Sequence, residues 1–277
     1  MTGRLAGATL LMSGGSRGIG LAIAVAAARE GANIALVAKT VVPDPRIPGT
    51  IGAAAAAIEE AGGRALPIAG DVRNQATVED AVQQCVAAFG GIDIVVNNAS
   101  AINLGRFGDV APMRFDLMLD VNVRGTFALT SAALPYLHES PRAQVMTLSP
   151  PLNLNRYWLG AHAPYTMSKY AMSLLTLGLA EQERGRIAAY CLWPQTLIAT
   201  AAVRNVVGGD AGVQRSRTPQ IMADAAVVLF TSDAAMTTGT CHIDAEVLRT
   251  TGRTDLSSYA TSGSEENLQL DLFLDAW

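Results

Sequence analysis

The chain has 277 residues, of which 50% are hydrophobic and 16% charged, and its formal net charge at pH 7 is -4. This length and composition are typical of one large globular α/β domain, and without a basic cluster a nucleic-acid partner is not expected. No membrane span is predicted, because the longest aliphatic run, 21–28, is far shorter than the roughly 20 residues that cross a bilayer. Cys85, Cys191 and Cys241 lack metal-ligand spacing, which predicts reduced thiols, a cytoplasmic protein and no metal site.

Short strand-like runs alternate with helical patterns along the chain. A first strand (8–12), a helix (17–30) and a second strand (33–37) follow one another in the order of a βαβ unit. The further predicted strands are 65–69, 93–97, 144–148, 188–193 and 241–244, and the further helices are 50–61, 76–89, 113–137, 163–183 and 219–231. We therefore predict an α/β fold with a single Rossmann-type, doubly wound sheet of about seven parallel strands and helices on both faces.

We predict a dinucleotide-binding catalytic domain at 1–250 and a C-terminal extension at 251–277. Two connections exceed the usual length: 41–49, which contains three prolines, and 199–217, which is rich in glycine and arginine. The second is predicted to be a lid over the substrate. In the extension, leucines alternate with other residues over 268–274, and this period of two predicts a strand arm that pairs with its own sheet or with another subunit.

A glycine-rich turn joins the first predicted strand to the first helix. Its glycines permit a tight turn and close approach of the backbone to a pyrophosphate, which the N–H groups and dipole of the helix N-terminus attract. The predicted cofactor-binding residues of this turn are Gly14, Ser16, Arg17, Gly18, Ile19 and Gly20. The spacing alone is a weak signal, and its place between a strand and a helix strengthens it. A purely structural glycine turn is the alternative.

The second predicted strand ends near Lys39, where NAD-selective sites usually carry an acid for the ribose 2′-hydroxyl. Lys39 and Arg17 could flank a 2′-phosphate, so NADP(H) is favoured over NAD(H). In the alternative interpretation both cations are merely solvated.

Tyr165 and Lys169 are four residues apart in a predicted helix and therefore lie on one face. A neighbouring ammonium and a cationic nicotinamide favour the phenolate, which would lower the pKa of Tyr165 from about 10 and make it a proton donor or acceptor. Ser149 ends a strand at the carboxyl edge of the sheet, where its hydroxyl could orient the substrate oxygen. Asn122, in the long predicted helix, could hold a water that connects Lys169 to solvent. A YxxxK pair occurs often by chance, and the glycine turn upstream favours the catalytic interpretation.

With these motifs the chain resembles the short-chain dehydrogenase/reductase family across nearly its whole length. The matching residues are Gly14, Gly18, Gly20, Asp71, Val72, Asn97, Asn98, Ala99, Ser100, Asn122, Ser149, Tyr165, Lys169, Pro194, Thr200 and Asp244. The resemblance implies that Asp71 and Val72 contact the adenine and that Asn98 and Ala99 line the cofactor cleft. It also implies a homodimer or homotetramer, assembled through the helices that contain Asn122 and Tyr165.

The resemblance further implies that Lys169 and Tyr165 contact the bound cofactor, with Lys169 on the nicotinamide ribose. In the segment that begins at Pro194, Ile198 and Thr200 would touch the carboxamide.

Three departures concern the substrate side. Ser149 and Tyr165 are 16 residues apart, a few more than is usual, Gln195 replaces a glycine, and Ser100 replaces another. Apolar residues within 152–159 could contact substrate or pack their own loop, and His162 could be catalytic or a surface residue.

The sequence therefore predicts an NADP(H)-dependent oxidoreductase that interconverts a ketone and a secondary alcohol on an apolar carbonyl or alcohol substrate, such as a lipid, steroid-like or acyl compound. Two alternatives stay open. One is a sensor of the nicotinamide redox state, inactive because the longer loop misplaces Ser149. The other is a 3-ketoacyl reductase, which shares every motif.

Overall fold

All seven predicted strands form one parallel sheet in the computed structural model, which describes residues 3–44 and 48–275. The strands are β1 (Thr9–Ser13), β2 (Asn33–Ala38), β3 (Arg64–Ala69), β4 (Ile94–Asn97), β5 (Gln144–Thr147), β6 (Ala188–Trp193) and β7 (Cys241–Ile243). Their order across the sheet is β3-β2-β1-β4-β5-β6-β7. The predicted Rossmann-type α/β fold is confirmed. Residues 45–47 of the predicted proline-containing connection and 276–277 of the extension lie outside the described residues.

Helices cover both faces of this sheet. They are α1 (Gly18–Arg29), α2 (Ile51–Glu60), α3 (Gln75–Phe89), α4 (Pro112–Met118), α5 (Gly125–Leu137), α6 (Arg156–Ala161), α7 (Ala163–Gln182), α8 (Gly209–Gln214), α9 (Gln220–Phe230), α10 (Ala234–Thr237) and α11 (Asp244–Thr250). None of these described helices is long and apolar enough to cross a membrane.

Two hydrophobic layers follow from the alternation of side chains along each strand. Leu10 and Leu148 belong to the layer packed against α1 and α9, whereas Leu11 and Val145 belong to the layer packed against α3 and α5. Alternate residues of a strand therefore pack against different helices. By the same alternation, Ser149 faces the side of Val145 and not the side of Leu148.

Two predicted segments differ from expectation. The predicted helix 113–137 is interrupted between α4 and α5 by a π-helical segment, Leu119–Arg124. The predicted lid, 199–217, is not an open loop, since it contains a π-helical turn (Val203–Val207) and α8. The lid ends at Arg217, whose buried guanidinium donates to Gln195 Oε1 (3.1 Å) and pairs with Glu265. A charged group buried in this way needs its partners, so this end of the segment is firmly anchored.

The C-terminal extension runs back onto the segment that follows β6. Leu270 makes an isolated antiparallel bridge with Thr196, and the backbone N–H of Asp271 donates to the Gln195 carbonyl at 3.1 Å. The backbone N–H of Leu197 donates to the Gln269 carbonyl at 2.9 Å. The extension thus pairs within its own chain, beside the C-terminal end of β6, rather than forming a regular strand.

Candidate active site

The strand order reverses between β1 and β4, and the carboxyl ends of these two strands open a crevice at that point. Asn98, which directly follows β4, closes the base of this crevice. Its Nδ2 donates to the carbonyls of Ser13 (3.1 Å) and Gly14 (2.8 Å), while the backbone N–H groups of Asn98 and Ala99 donate to Ser13 Oγ at 3.2 and 3.1 Å. The turn after β1 is therefore locked to the loop after β4.

Two glycines make this close contact possible. Gly14 has a φ of 77°, and a Cβ placed on it would lie 2.8 Å from the Ala99 Cα. A Cβ on Gly20 would lie 2.5 Å from Asn98 Nδ2. No side chain of the described residues caps the N-terminus of α1, which leaves its first N–H groups facing the turn. The turn has the backbone approach and the helix N-terminus that fit the pyrophosphate of a dinucleotide.

Positive charge flanks the outer side of the turn. Arg17 donates through Nη2 to the Gly49 carbonyl at 2.7 Å, and its buried Nε has no hydrogen-bond partner among the described residues. Lys39 is exposed just beyond β2. The pKa of Asp71 is lowered mainly by its hydrogen bonds with Arg73 and to a smaller extent by the charge of Lys39. Two cationic side chains, Arg17 and Lys39, therefore flank this corner of the crevice.

The segment after β6 faces the glycine turn from the other side. Ile198 is buried, and Thr200 lies across from Gly18, where an added Cβ would be 3.4 Å from Thr200 Cγ2. The buried carboxylate of Asp244 accepts the backbone N–H that follows Pro194 at 2.8 Å, and burial raises the pKa of Asp244 to about 6. These contacts fix the segment at the mouth of the crevice.

Asn122 lies in the π-helical segment and is fully buried. Its Oδ1 accepts the Ala101 N–H at 2.7 Å, and its Nδ2 donates to the Ala101 carbonyl and to Ser168 Oγ, both at 3.0 Å. Ser168 in turn donates to the Tyr165 carbonyl at 2.8 Å. Asn122 therefore joins the loop after β4 to α7, and this network contains no direct bond to Lys169.

Tyr165 and Lys169 lie one turn apart on α7, and both are buried. Lys169 Nζ donates to the Leu148 carbonyl at 2.5 Å and lies 5.2 Å from the centroid of the Trp193 ring. Burial lowers the pKa of Lys169 to about 7, although the charge of Asp271 acts in the opposite direction. The amine is therefore poised to exchange protons near neutrality.

The pKa of Tyr165 differs from the sequence-based expectation. Burial raises it, the negative charge of Asp271 raises it further, and the polar side chain of Ser100 lowers it. The predicted depression by Lys169 is absent in the cofactor-free protein, because desolvation of the phenolate outweighs a partner amine that is itself desolvated.

Ser149 is fully buried on the face of the sheet that packs against α7. Its hydroxyl has no oxygen or nitrogen partner among the described residues. The nearby thiol of Cys191 on β6 has a lowered pKa, to which Cys241 contributes most and the Ser149 hydroxyl contributes less. No hydrogen bond joins the Ser149 hydroxyl to Tyr165 in the part of the chain that the structure describes, and its predicted role stays a prediction.

An apolar cluster surrounds Tyr165, and most of its members carry no recognisable motif in the sequence. Its buried members are Met118, Tyr165, Tyr170, Trp193, Ile243 and Phe273. The Phe273 ring, from the C-terminal extension, is 1% exposed and stacks on Tyr165 with ring centroids 6.2 Å apart. Trp193 Nε1 donates to the Leu272 carbonyl at 3.0 Å. The only sequence signal for this contribution was the alternation of leucines in the extension.

The structure gathers the other predicted site residues along one edge of the sheet. These are Gly14, Ser16, Arg17, Gly18, Ile19, Gly20, Lys39, Asp71, Val72, Asn98, Ala99, Asn122, Tyr165, Lys169, Pro194, Ile198 and Thr200. His162 lies near the same edge and hydrogen-bonds through Nδ1 with the Leu104 carbonyl at 2.6 Å. No group of three metal-ligating side chains occurs in the part of the chain that the structure describes.

The model of the short chain dehydrogenase family matches residues 8–210. This chain belongs to the short-chain dehydrogenase/reductase family. Hydroxysteroid dehydrogenase-like protein 2 of Xenopus laevis is 48% identical over 274 residues, and the match covers 99% of this chain and 65% of that relative. The chain thus spans about two thirds of the length of such relatives, and within it the segments 148–155 and 163–170 resemble theirs.

Two solved structures are similar over almost the whole chain. One is from Xanthomonas campestris, with a TM-score of 0.94 and 49% identity, covering 98% of this chain and 99% of that chain. The other is a short-chain dehydrogenase from Mycobacterium thermoresistibile, with a TM-score of 0.91 and 50% identity, covering 98% and 96%. Together with the family match, they support an oxidoreductase that uses a nicotinamide dinucleotide.

Lys169 is predicted to titrate near pH 7 in the cofactor-free protein, because burial disfavours the ammonium form. The chain contains only two lysines, Lys39 and Lys169, so a protein labelled with 13C at the lysine ε-carbon gives two signals. Lys39→Arg leaves a single signal, which assigns Lys169 without ambiguity. A Lys169 signal that stays in its protonated position up to pH 9 would contradict the prediction.

Proposed function

We propose that this protein is an NADP(H)-dependent oxidoreductase that interconverts a ketone and a secondary alcohol on an apolar substrate. The observation that carries the proposal is the placement of the Tyr165–Lys169 pair, buried at the same sheet edge as the glycine turn and enclosed by apolar side chains. A lipid, steroid-like or acyl ketone matches such surroundings, because burying its apolar surface against aromatic rings is favourable.

The chemistry divides between the dinucleotide and the side chains. A bound nicotinamide dinucleotide supplies or accepts the hydride at the carbonyl carbon. In reduction Tyr165 donates its phenolic proton to the carbonyl oxygen, and in oxidation it accepts the proton of the alcohol. Lys169, with a pKa near 7, holds the next proton one helical turn away. Positioned proton transfer of this kind contributes roughly 10²–10⁴-fold to a rate.

The preference for NADP(H) over NAD(H) is supported by Arg17 and Lys39. The guanidinium of Arg17 has a buried Nε without a partner among the described residues, which a phosphate oxygen would satisfy. Lys39 takes the place at the end of β2 where NAD-selective sites carry an acid.

The proposed assembly is a homodimer or homotetramer formed through α5 and α7. Phe127 on α5 is 60% exposed and Leu174 on α7 is 58% exposed, and both line one groove between these helices. A second copy that presents the same groove would cover both side chains. We also propose a cytoplasmic location, which the three free thiols support.

A second candidate function is a catalytically weak protein that binds the dinucleotide and reports its redox state. The buried Ser149 hydroxyl, which has no hydrogen-bond partner among the described residues, favours it, because a missing substrate-orienting hydroxyl would slow turnover without affecting the dinucleotide site. The presence of both Tyr165 and Lys169 favours the enzyme.

Replacing Tyr165 with Phe is expected to lower kcat for the reduction of apolar ketones by at least about 100-fold while NADPH binding stays within about threefold of the parent. The measurement is NADPH oxidation with a panel of aliphatic, aromatic and fused-ring ketones, with NADPH affinity determined by fluorescence titration. Tyr157→Phe, at an exposed tyrosine of α6, is the control. A parent protein that binds NADPH and turns over none of the ketones would favour the sensor.

The double replacement of Arg17 and Lys39 with Ala is expected to weaken NADPH binding by about 10- to 100-fold, because two charge-assisted contacts to the 2′-phosphate are lost. Binding of NADH, which lacks that phosphate, should change by less than about threefold. Arg29→Ala, an exposed cation at the far end of α1, controls for net charge. Equal weakening of both dinucleotides, or a parent that prefers NADH, would contradict the proposed cofactor.

Leu174→Asp combined with Phe127→Asp is expected to convert the oligomer to monomers, because it places like charges in the proposed apolar contact. Sedimentation or light scattering of parent and variant measures this change. Met236→Asp, at a more exposed apolar residue of α10, should leave the assembly intact. A monomeric parent, or a variant that stays assembled, argues against this interface.

A further inference from the structure

Phe273 fills the space beside the ring of Tyr165. The two rings are stacked, with centroids 6.2 Å apart and an angle of 28° between their planes. The rings of Trp158, Tyr170 and Trp193 also lie close to Phe273, with centroids 5.7, 5.2 and 5.9 Å from its own. Phe273 is 1% exposed and Tyr165 is 5% exposed. Phe273 therefore covers one face of the phenol.

The backbone on both sides of the Phe273 ring is held by side chains from earlier in the chain. Trp193 Nε1 donates to the Leu272 carbonyl at 3.0 Å, and Asn153 Nδ2 donates to the Phe273 carbonyl at 2.9 Å. The φ of Phe273 is 72°, a conformation that persists in a bulky residue only where the surrounding contacts enforce it. The ring therefore has a fixed place beside the phenol.

Asp275 binds the extension to the segment 150–162. Its Oδ1 accepts from Trp158 Nε1 at 2.8 Å and from Asn155 Nδ2 at 3.4 Å. Its Oδ2 accepts from Asn153 Nδ2 at 2.9 Å. The segment that lengthens the spacing between the predicted catalytic serine and tyrosine thus holds the extension against the site.

We propose that Phe273 is a specificity-determining residue that restricts this protein to ketones on slender, unbranched chains, such as alkyl or acyl ketones. This inference rests on the proposed function and narrows it. A ketone whose oxygen receives the Tyr165 proton carries both of its carbon substituents close to the phenol. An extended chain can pass beside a fixed ring, whereas a cyclic substituent at the same place needs the space that Phe273 occupies.

Removal of the ring is expected to admit cyclic ketones. Phe273→Ala should raise the ratio of kcat/KM for cyclohexyl methyl ketone and 2-decalone to kcat/KM for 2-octanone by at least about tenfold, because differences in fit to an apolar pocket change discrimination by roughly 10–200-fold. Phe273→Leu, which keeps most of the apolar volume, should raise this ratio less. Comparing one ratio between variants cancels the intrinsic reactivity of each ketone.

Leu256→Ala is the control for loss of stability. Leu256 lies in the same extension and is fully buried, but it belongs to the hydrophobic layer packed against α1 and α9. Its truncation leaves a cavity in the core, as that of Phe273 does, and lowers stability. The ratio of cyclic to unbranched ketones should stay within about twofold of the parent.

A second measurement on the full chain requires no turnover. An apolar cavity left by a lost ring stays dry and can take up a benzene-sized molecule. With 3-fluorotyrosine incorporated, the 19F signal of position 165 is assigned by its loss in Tyr165→Phe, and toluene is then added. Toluene should move this signal in Phe273→Ala, and it should leave the signal unchanged in the parent and in Leu256→Ala.

Each outcome supports or overturns the inference. A raised ratio in Phe273→Ala, with a toluene shift confined to that variant, supports it; if Phe273→Ala does not fold, the ratio in Phe273→Leu decides. An unchanged ratio, or a position-165 signal that toluene moves in the parent or leaves unmoved in Phe273→Ala, overturns it. If neither the parent nor Phe273→Ala reduces any of the three ketones, the proposed function fails, and the toluene titration alone decides whether Phe273 closes the space beside Tyr165.

Discussion

The hydrogen bonds of Asn98 to the turn after β1 are the constraint on which the crevice depends. A parallel sheet leaves a crevice where its strand order reverses, because the connections that follow the two neighbouring strands run to opposite faces of the sheet. Here one amide group donates to two consecutive carbonyls, of Ser13 and Gly14. The glycines around it are a consequence, since a Cβ on Gly14 or Gly20 would collide with the loop after β4.

Burial dominates the electrostatics around Tyr165 and Lys169. A charged amine near a phenol would lower the phenol's pKa in water, but both groups here are enclosed by aromatic and aliphatic side chains. Desolvation therefore disfavours the charged form of each, which lowers the pKa of Lys169 and raises that of Tyr165. Burial therefore keeps the phenol of Tyr165 protonated and favours the neutral amine of Lys169, and a bound positive charge near the phenol would favour its phenolate.

The sequence was sufficient to predict the sheet because its central strands are buried on both faces and form short apolar runs between helical patterns. The glycine turn and the Tyr165–Lys169 pair could also be predicted. The spacing of the glycines indicates a tight turn, and the four-residue spacing of Tyr165 and Lys169 places them on one face of a helix. The π-helical segment around Asn122 was not, since it depends on a contact between that amide and Ala101. Ser149 illustrates a different limit: a residue at the end of a strand can be assigned to the correct edge, but the sequence does not show which partners its side chain meets.

Gln195, one of the departures from the family pattern, connects three other segments of the chain. Its backbone N–H is bound by Asp244, its carbonyl accepts from Asp271, and its side chain accepts from Arg217. A glycine at this position would lose only the third contact, which ties Arg217 to the segment after β6, and would keep the bond from Asp271 that anchors the extension. That anchoring brings Phe273 against Tyr165, with a φ of 72° that is otherwise confined to glycines among the described residues. Such a conformation persists only when surrounding contacts enforce it. The substrate side of this site is therefore shaped by the extension as much as by the family's own motifs, which is why the motifs alone left the substrate open.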